Sequence, residues 1–164
     1  MTIPYQHVVV PLDGSQLAEA ALDHAMFVAG SAGAAVTLVS VVPTIEHVVG
    51  PVQSRVSIDE QWQVLRARAS AYLATVSRRA GWGSTVVRAV VEMGNAAETI
   101  LAIAARDHAD LIVMSTHGLS GVRRWMIGSV AEKVVLAAST PVLLIRVSAP
   151  PTRRPPERDE IATL

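Results

Sequence analysis

The sequence predicts a single doubly wound α/β domain with a five-stranded parallel sheet in the order 3-2-1-4-5. Three observations lead there. Five short runs rich in valine and isoleucine alternate with helical patterns, which calls for parallel strands joined by crossover helices. The runs near Val8, Leu38 and Ile112 are apolar on both faces, as strands covered on both sides must be. Right-handed crossovers then leave few topologies, of which 3-2-1-4-5 is the one expected, with those three runs central.

Each element has its own local reason. The first strand is His7 to Leu12. Ser15 can cap the helix after the Asp13-Gly14 turn, with Ala18, Ala21, Leu22, Ala25 and Val28 as its inner stripe and Gly30 and Gly33 at its end. The second strand is Ala35 to Val42. A long loop from Thr44 to Val56, punctuated by Gly50 and Pro51, leads to a helix opened by Ser57 and Glu60. Its predicted inner face is Trp62, Leu65, Ala69, Leu73, Val76 and Ala80. The third strand, Thr85 to Val91, mixes in charge and suits a sheet edge. Asn95 with Glu98 starts the third helix, with Ala97, Ile100, Leu101 and Ala104 inward. The fourth strand is Leu111 to Met114. Ser129 with Glu132 marks the fourth helix, expected to bury Val130, Val134, Val135 and Ala138, and Val142 to Val147 is the last strand.

Composition bounds what the chain does. Its 164 residues are 51% hydrophobic and 17% charged, enough for one core and too apolar for long disorder. Fourteen basic residues balance fourteen acidic ones, which argues against nucleic acid or an anionic membrane as a field-driven partner. Cysteine is absent, which removes disulfides, thiolate metal sites and cysteine nucleophiles together. The five histidines, His7, His24, His47, His108 and His117, show no pair at the three- or four-residue spacing of a helical metal face. No secretory signal opens the chain, and no apolar run approaches the roughly 20 residues that cross a bilayer. A cytoplasmic location is the expectation. The domain is expected to span 1–148, followed by an extended or disordered Pro/Arg-rich tail, 149–164, with Pro150, Pro151, Pro155 and Pro156.

In such sheets ligands lie outside the carboxyl ends of the strands where the strand order reverses, here after Leu12 and Met114. Asp13-Gly14-Ser15 follows the first strand. A stretch rich in glycine and hydroxyls, Ser115 to Ser129, follows the fourth. Gly128 and Ser129 stand at a helix start, where unpaired amides and the helix dipole favour phosphate. Each candidate has a plainer reading beside it. Ser129 can be simply the helix cap, Arg123 and Arg124 solvated surface, Asp13 an Asx-turn, and His117 a partner for a loop carbonyl.

Sharper catalytic signatures are missing. The only lysine, Lys133, lies inside a helix, so there is no P-loop. Val86 stands where G-x-G-x-x-G would need its third glycine after Gly81 and Gly83, and no G-x-S-x-G elbow occurs. No catalytic residue is assigned, and any hydrolysis is expected to be slow.

The combination resembles the universal stress protein family over about Gln6 to Val147. The family's nucleotide motif is a glycine, two residues, a glycine, nine residues, then glycine with serine or threonine, and Gly118 with Gly128-Ser129 is similar to its latter part. Val9 to Ser15, Val130 to Val135 and Ser139 to Ile145 look like other family segments. The resemblance to its ATP-binding branch implies that Asp13 and the Val41 backbone hold the adenine end, with Pro11 and Met114 nearby. It implies that Gly118, Gly128, Ser129 and Val130 receive the phosphates, with Mg²⁺ between them. Ser115 replaces the motif's first glycine. If that position needs positive φ or close backbone approach, the side chain strains it or blocks the ribose; otherwise the hydroxyl is harmless.

The last strand, apolar and nearly uncharged, invites antiparallel pairing with a second copy, and family members commonly form such homodimers. The expected function is a cytoplasmic, ATP-dependent stress-response regulator. The alternatives are a dimeric interaction module of the same fold that binds no ATP, and a preference for AMP or cyclic AMP.

Overall fold

The computed structural model describes residues 5–44, 58–79, 81–116 and 127–146. The expected tail, the long loop beyond Thr44, Ser57 and Ala80 lie outside these residues. The elements run β1 (His7–Pro11), α1 (Gln16–Ala32), β2 (Ala35–Val42), α2 (Ile58–Ser77), β3 (Val87–Met93), α3 (Ala96–Arg106), β4 (Leu111–Ser115), α4 (Ser129–Ala137) and β5 (Val142–Ile145). The sheet is parallel throughout, in the order β3-β2-β1-β4-β5.

The alternation of strand side chains builds two cores. Val8, Val10, Leu12, Val36, Leu38, Leu111 and Val113 pack under α1 and α2, while Val9, Val39, Ile112 and Met114 pack under α3 and α4. Both faces of β1 are therefore dry, which is why its sequence reads as an unbroken apolar run. The registers Val8↔Val36 and Val8↔Leu111 place β1 between β2 and β4, so the strand order reverses at β1.

Caps set the helix ends. The Ser15 side chain accepts from the Ala18 amide at 3.1 Å, and Gly33 closes α1 in the left-handed conformation at φ 69°. Asn95 accepts from the Ala97 and Glu98 amides and caps α3. Gly30 lies within α1 instead of ending it.

The inner faces differ from the sequence reading at the helix ends. In α1, Ala29 is fully buried while Val28 packs partly buried against the same core, and in α3 Ile103 is buried while Leu101 is partly buried against its core. In both cases the apolar stripe is wider than the sequence reading, with the extra residue at its buried centre and the expected one at its margin. In α2, Leu73 and Val76 are fully buried, but Leu65 is 38% exposed and Trp62 only partly covered. Twenty residues make a helix of about 30 Å, longer than the strands beneath it. Its amino-terminal turns therefore run past the carboxyl end of the sheet. In α4, Ala131 and Val134 are buried, Val130 and Ala138 are partly covered, and Val135 is 42% exposed. The third strand begins two residues later and ends two later than predicted, at the edge position its charges suggested. β5 ends at Ile145, and Val147 lies outside the described residues.

Candidate functional site

A cavity of about 290 Å³ opens at the carboxyl ends of β1, β2 and β4, where the strand order reverses. Three kinds of wall meet there. Pro11, Val39, Val41, Ile100 and Met114 form an apolar slot between the sheet and the start of α3. Gly128, Ser129, Val130 and Ala131 present the first turn of α4. Asp13, Ser115 and Thr116 bring polar groups from the ends of β1 and β4, beside Ala18 of α1.

The α4 end is built by the backbone. Gly128 occupies the cap position in extended conformation, with φ −63° and ψ 147°, and no side chain caps the helix. Its amide donates to the Thr116 carbonyl at 2.7 Å, which fastens the helix start to the end of β4. The Glu132 amide donates to the Gly128 carbonyl at 2.9 Å, the first bond of the helix. Ser129 is thus the first helical residue, and the expected Ser129–Glu132 capping box does not form. The glycine's tie to Thr116 moved the cap back by one position. The amides of Ser129, Val130 and Ala131 have no acceptor within the helix and line the cavity, at the positive end of its dipole.

Asp13 shows its plainer reading in full. Its Oδ1 accepts from the Ser15 amide at 2.9 Å and from the Ser15 hydroxyl at 2.6 Å, an Asx-turn that feeds the α1 cap. It also lines the cavity, so the turn fixes a carboxylate at its rim. Glu19, in the first turn of α1, accepts from Tyr72 Oη at 3.1 Å and pairs with Arg79, tying this end of α1 to α2. Burial, then the Glu19 carboxylate, pushes the Tyr72 phenol well above its ordinary range.

Ser115 closes β4, is 7% exposed and lines the cavity. Among the described residues His108 is the one non-glycine with positive φ, so the serine stands in unstrained backbone. The first of the two possibilities raised by its replacement of a glycine, a left-handed backbone, is removed.

Of the residues singled out in the sequence, Pro11, Asp13, Val41, Met114, Ser115, Gly128, Ser129 and Val130 line one cavity. Gly118, His117, Arg123 and Arg124 lie outside the described residues. Thr116, inside the hydroxyl-rich stretch but not singled out, also lines the cavity, and sequence reasoning did not place Leu12, Ala18, Val39, Ala96, Ile100 or Ala131 there. Val39 was recoverable, because strand alternation puts it on the same face as Val41. Ala96 and Ile100 come from a helix whose approach to β2 no local pattern announces. Among the described residues no group of three histidine, aspartate or glutamate side chains is gathered for a metal ion.

This doubly wound α/β domain has a part-apolar cavity at its reversal point, floored by a helix start, the place where open α/β sheets as a class commonly seat ligands. The sequence model of the universal stress protein family matches residues 4–146, and the chain belongs to that family. It is 33% identical over 143 residues to universal stress protein MJ0531 of Methanocaldococcus jannaschii, covering 87% of this chain and 82% of that protein. In fold it is similar to hypothetical protein MJ0577, with TM-score 0.77 and 23% identity over 90% of this chain and all of that one. Two further solved universal stress proteins share the fold at lower similarity. One, in complex with cAMP, has TM-score 0.59, 23% identity and coverage of 88% and 98%. The other, from Archaeoglobus fulgidus in complex with dAMP, has TM-score 0.52, 22% identity and coverage of 87% and 98%.

Proposed function

We propose that this universal stress protein binds an adenine nucleotide, ATP with Mg²⁺, in the cavity at the reversal of its sheet and acts as a nucleotide-dependent stress-response regulator in the cytoplasm. The observation that carries the reading is the joining of an apolar slot to an uncapped helix start in a single cavity. A flat base is accommodated between Val39, Val41, Ile100 and Met114, with Pro11 beside it. Phosphate oxygens are received by the Ser129, Val130 and Ala131 amides, with Gly128 allowing close approach and Gly118 completing the cradle in the family's motif. Two solved relatives of this fold, with cAMP and dAMP respectively, support an adenine nucleotide as the ligand class.

The donor set fits Mg²⁺ carried by the nucleotide. Asp13 is the one carboxylate on the described cavity wall, too few donors for a dedicated metal cage, whereas Mg²⁺ is commonly held by phosphates, waters and one or two carboxylates. The ion would neutralise phosphate charge, and the chain's own residues would seat and orient the nucleotide. No residue is assigned to activating water.

The edge strand β5 supports a homodimer. Val142 to Ile145 is partly exposed and uncharged, a free edge suited to antiparallel pairing with a second copy.

The test is isothermal titration of nucleotide-free protein with ATP and Mg²⁺, after mass analysis of whatever the untreated protein carries. Micromolar binding supports the reading. AMP or cyclic AMP binding more tightly than ATP would transfer the site to those ligands. The absence of heat and of thermal shift at millimolar nucleotide would overturn it in favour of an interaction module without ATP.

A further inference from the structure

The sheet has an open edge on the side away from β5. β3 is its outer strand, seven residues long against four in β5, and among the described residues no strand pairs with its outer side. The Val36 amide donates to the Val86 carbonyl at 2.8 Å and the Gly94 amide to the Val42 carbonyl at 3.0 Å, so the even-numbered residues of β3 turn their backbone groups to β2. Val87, Ala89, Val91 and Met93 therefore point their amides and carbonyls outward.

The charges on this strand are placed symmetrically. Arg88 and Glu92 flank Val90 at equal distance in the sequence. When two copies of β3 lie antiparallel over their full length, Val90 faces its own equivalent and three things follow. Outward-facing residues meet outward-facing residues, Val87 with Met93 and Ala89 with Val91, so each such pair can exchange two backbone hydrogen bonds. Those pairs also make one face of the ribbon wholly apolar. On the other face Arg88 of each copy stands opposite Glu92 of the other, in the positions where cross-strand side chains approach most closely. Parallel pairing in register would instead set Arg88 beside Arg88 and Glu92 beside Glu92, which is unfavourable. Charges that guard an edge against foreign strands thus admit a second copy in one orientation. Both side chains already have partners in their own chain, Arg88 in Asp107 and Glu92 in Arg106. They are still 52% and 43% exposed, and a guanidinium with five donors and a carboxylate with two oxygens can each take a further contact.

We propose that β3 is a self-association edge, on which a second copy of this chain pairs antiparallel over Val87–Met93, in the register set by Arg88 and Glu92. The pairing is independent of the nucleotide reading and of β5, which lies at the opposite edge of the sheet. A contact one strand wide belongs to the small, weak end of protein interfaces. Its dissociation constant is expected on the order of 10⁻⁴ M, so the pair is absent from micromolar solutions.

The experiment follows sedimentation of the full chain carrying Leu144→Pro, which takes β5 out of play, from micromolar to millimolar concentration. Reversible dimers are expected at the upper end, and their loss on adding Ala89→Pro, which removes an outward amide at an exposed position. Arg88→Glu and Glu92→Arg, added singly, are each expected to weaken the dimer at least about tenfold, and an equimolar mixture of the two to recover it, because opposite charges then face each other again. A folding defect would not be repaired by mixing. The chain has no cysteine, so a single thiol reads the register with both charges in place. Val90→Cys oxidised with diamide is expected to give disulfide-linked dimers, and Val86→Cys, more exposed but far from its equivalent in this register, is not. A monomer at millimolar concentration would overturn the proposal. So would a dimer that survives Ala89→Pro, a mixture no more associated than its parts, or linking at 86 and not at 90.

Discussion

His7 Nε2 lies 2.7 Å from Thr37 Oγ1, across the β1–β2 pair at the end of the sheet opposite the cavity. His7 Nδ1 lies 3.0 Å from the Asp107 carbonyl, which can only accept, so Nδ1 carries the proton. In the neutral ring Nε2 then accepts from the Thr37 hydroxyl, which itself accepts from Arg88 at 3.3 Å. Arg88 also pairs with the Asp107 carboxylate, closing a ring of contacts from β3 through β2 and β1 to the end of α3. The Gln6 and His7 amides donate to Asp110 at 2.6 and 2.8 Å beside it.

Replacing Thr37 with valine keeps the shape and removes the hydroxyl, leaving His7 Nε2 without its donor in a part-buried site. The expected cost is about 1–3 kcal/mol, read as a lower urea midpoint at unchanged slope. A midpoint equal to wild type would show that the Thr37–His7 bond contributes nothing net.

Asp107 makes stability depend on acid. Burial disfavours its charge, but the Arg106 hydrogen bond, followed by the charges of Arg88, Arg106 and His7, outweighs this and holds the carboxyl below its usual value. A lowered folded pKa contributes stability that is complete above the unfolded value, near ~4, and is lost as pH falls through the folded value. Asp107→Asn is therefore expected to be less stable than wild type at pH 7, with the difference shrinking below about pH 4. Thermal unfolding across that range checks it, and a difference constant with pH would refute the linkage.

The first turn of α4 offers a charge test. Gly128→Glu places a carboxylate beside the amides proposed to receive phosphate. Nucleotide affinity is expected to fall at least about tenfold, from repulsion in a site of reduced dielectric, with the fold retained by circular dichroism. Unchanged affinity would move the phosphates away from this helix.

The β5 edge can be probed without touching its bonds to β4. The Pro141 and Ile145 carbonyls accept from the Ile112 and Thr116 amides, so residues 141, 143 and 145 face β4, and Val142, Leu144 and Arg146 turn their backbone groups outward. With Leu144→Ala as the control for the side chain's lost packing on the core under α3 and α4, Leu144→Pro removes an outward donor and spares the bonds to β4. Sedimentation is expected to show dimers for wild type and monomers for the variant. A wild-type monomer at micromolar concentration would refute pairing through this strand.

Much of this architecture is legible in the sequence because it is written in local signals. β2 runs from Ala35 to Val42 as its pattern predicts, Ser15 and Asn95 cap the helices they precede, and the both-face apolarity of Val8 to Val10 makes β1 central. Right-handed crossovers then narrow the strand order to a few, among them the observed one, whose reversal point has Asp13 and Ser115 on its cavity wall. The motif residues Gly128 and Ser129 sit at a helix start as their composition suggests.

What the tertiary structure decided were the matters that depend on how one element lies against another. Whether Ser129 or Gly128 caps α4 turned on the Gly128 bond to Thr116, a contact between segments twelve residues apart. Packing against the sheet put Ala29 and Ile103 at the buried centre of their stripes and left Val28 and Leu101 at the margins, and the length of the sheet beneath α2 left Leu65 exposed. Ile100 reached the cavity because α3 crosses the end of β2. Propensity and periodicity act over three or four residues and set each element. Packing acts between elements brought together from distant parts of the chain, and it alone chose which of several apolar neighbours faces the core and which polar groups share a site.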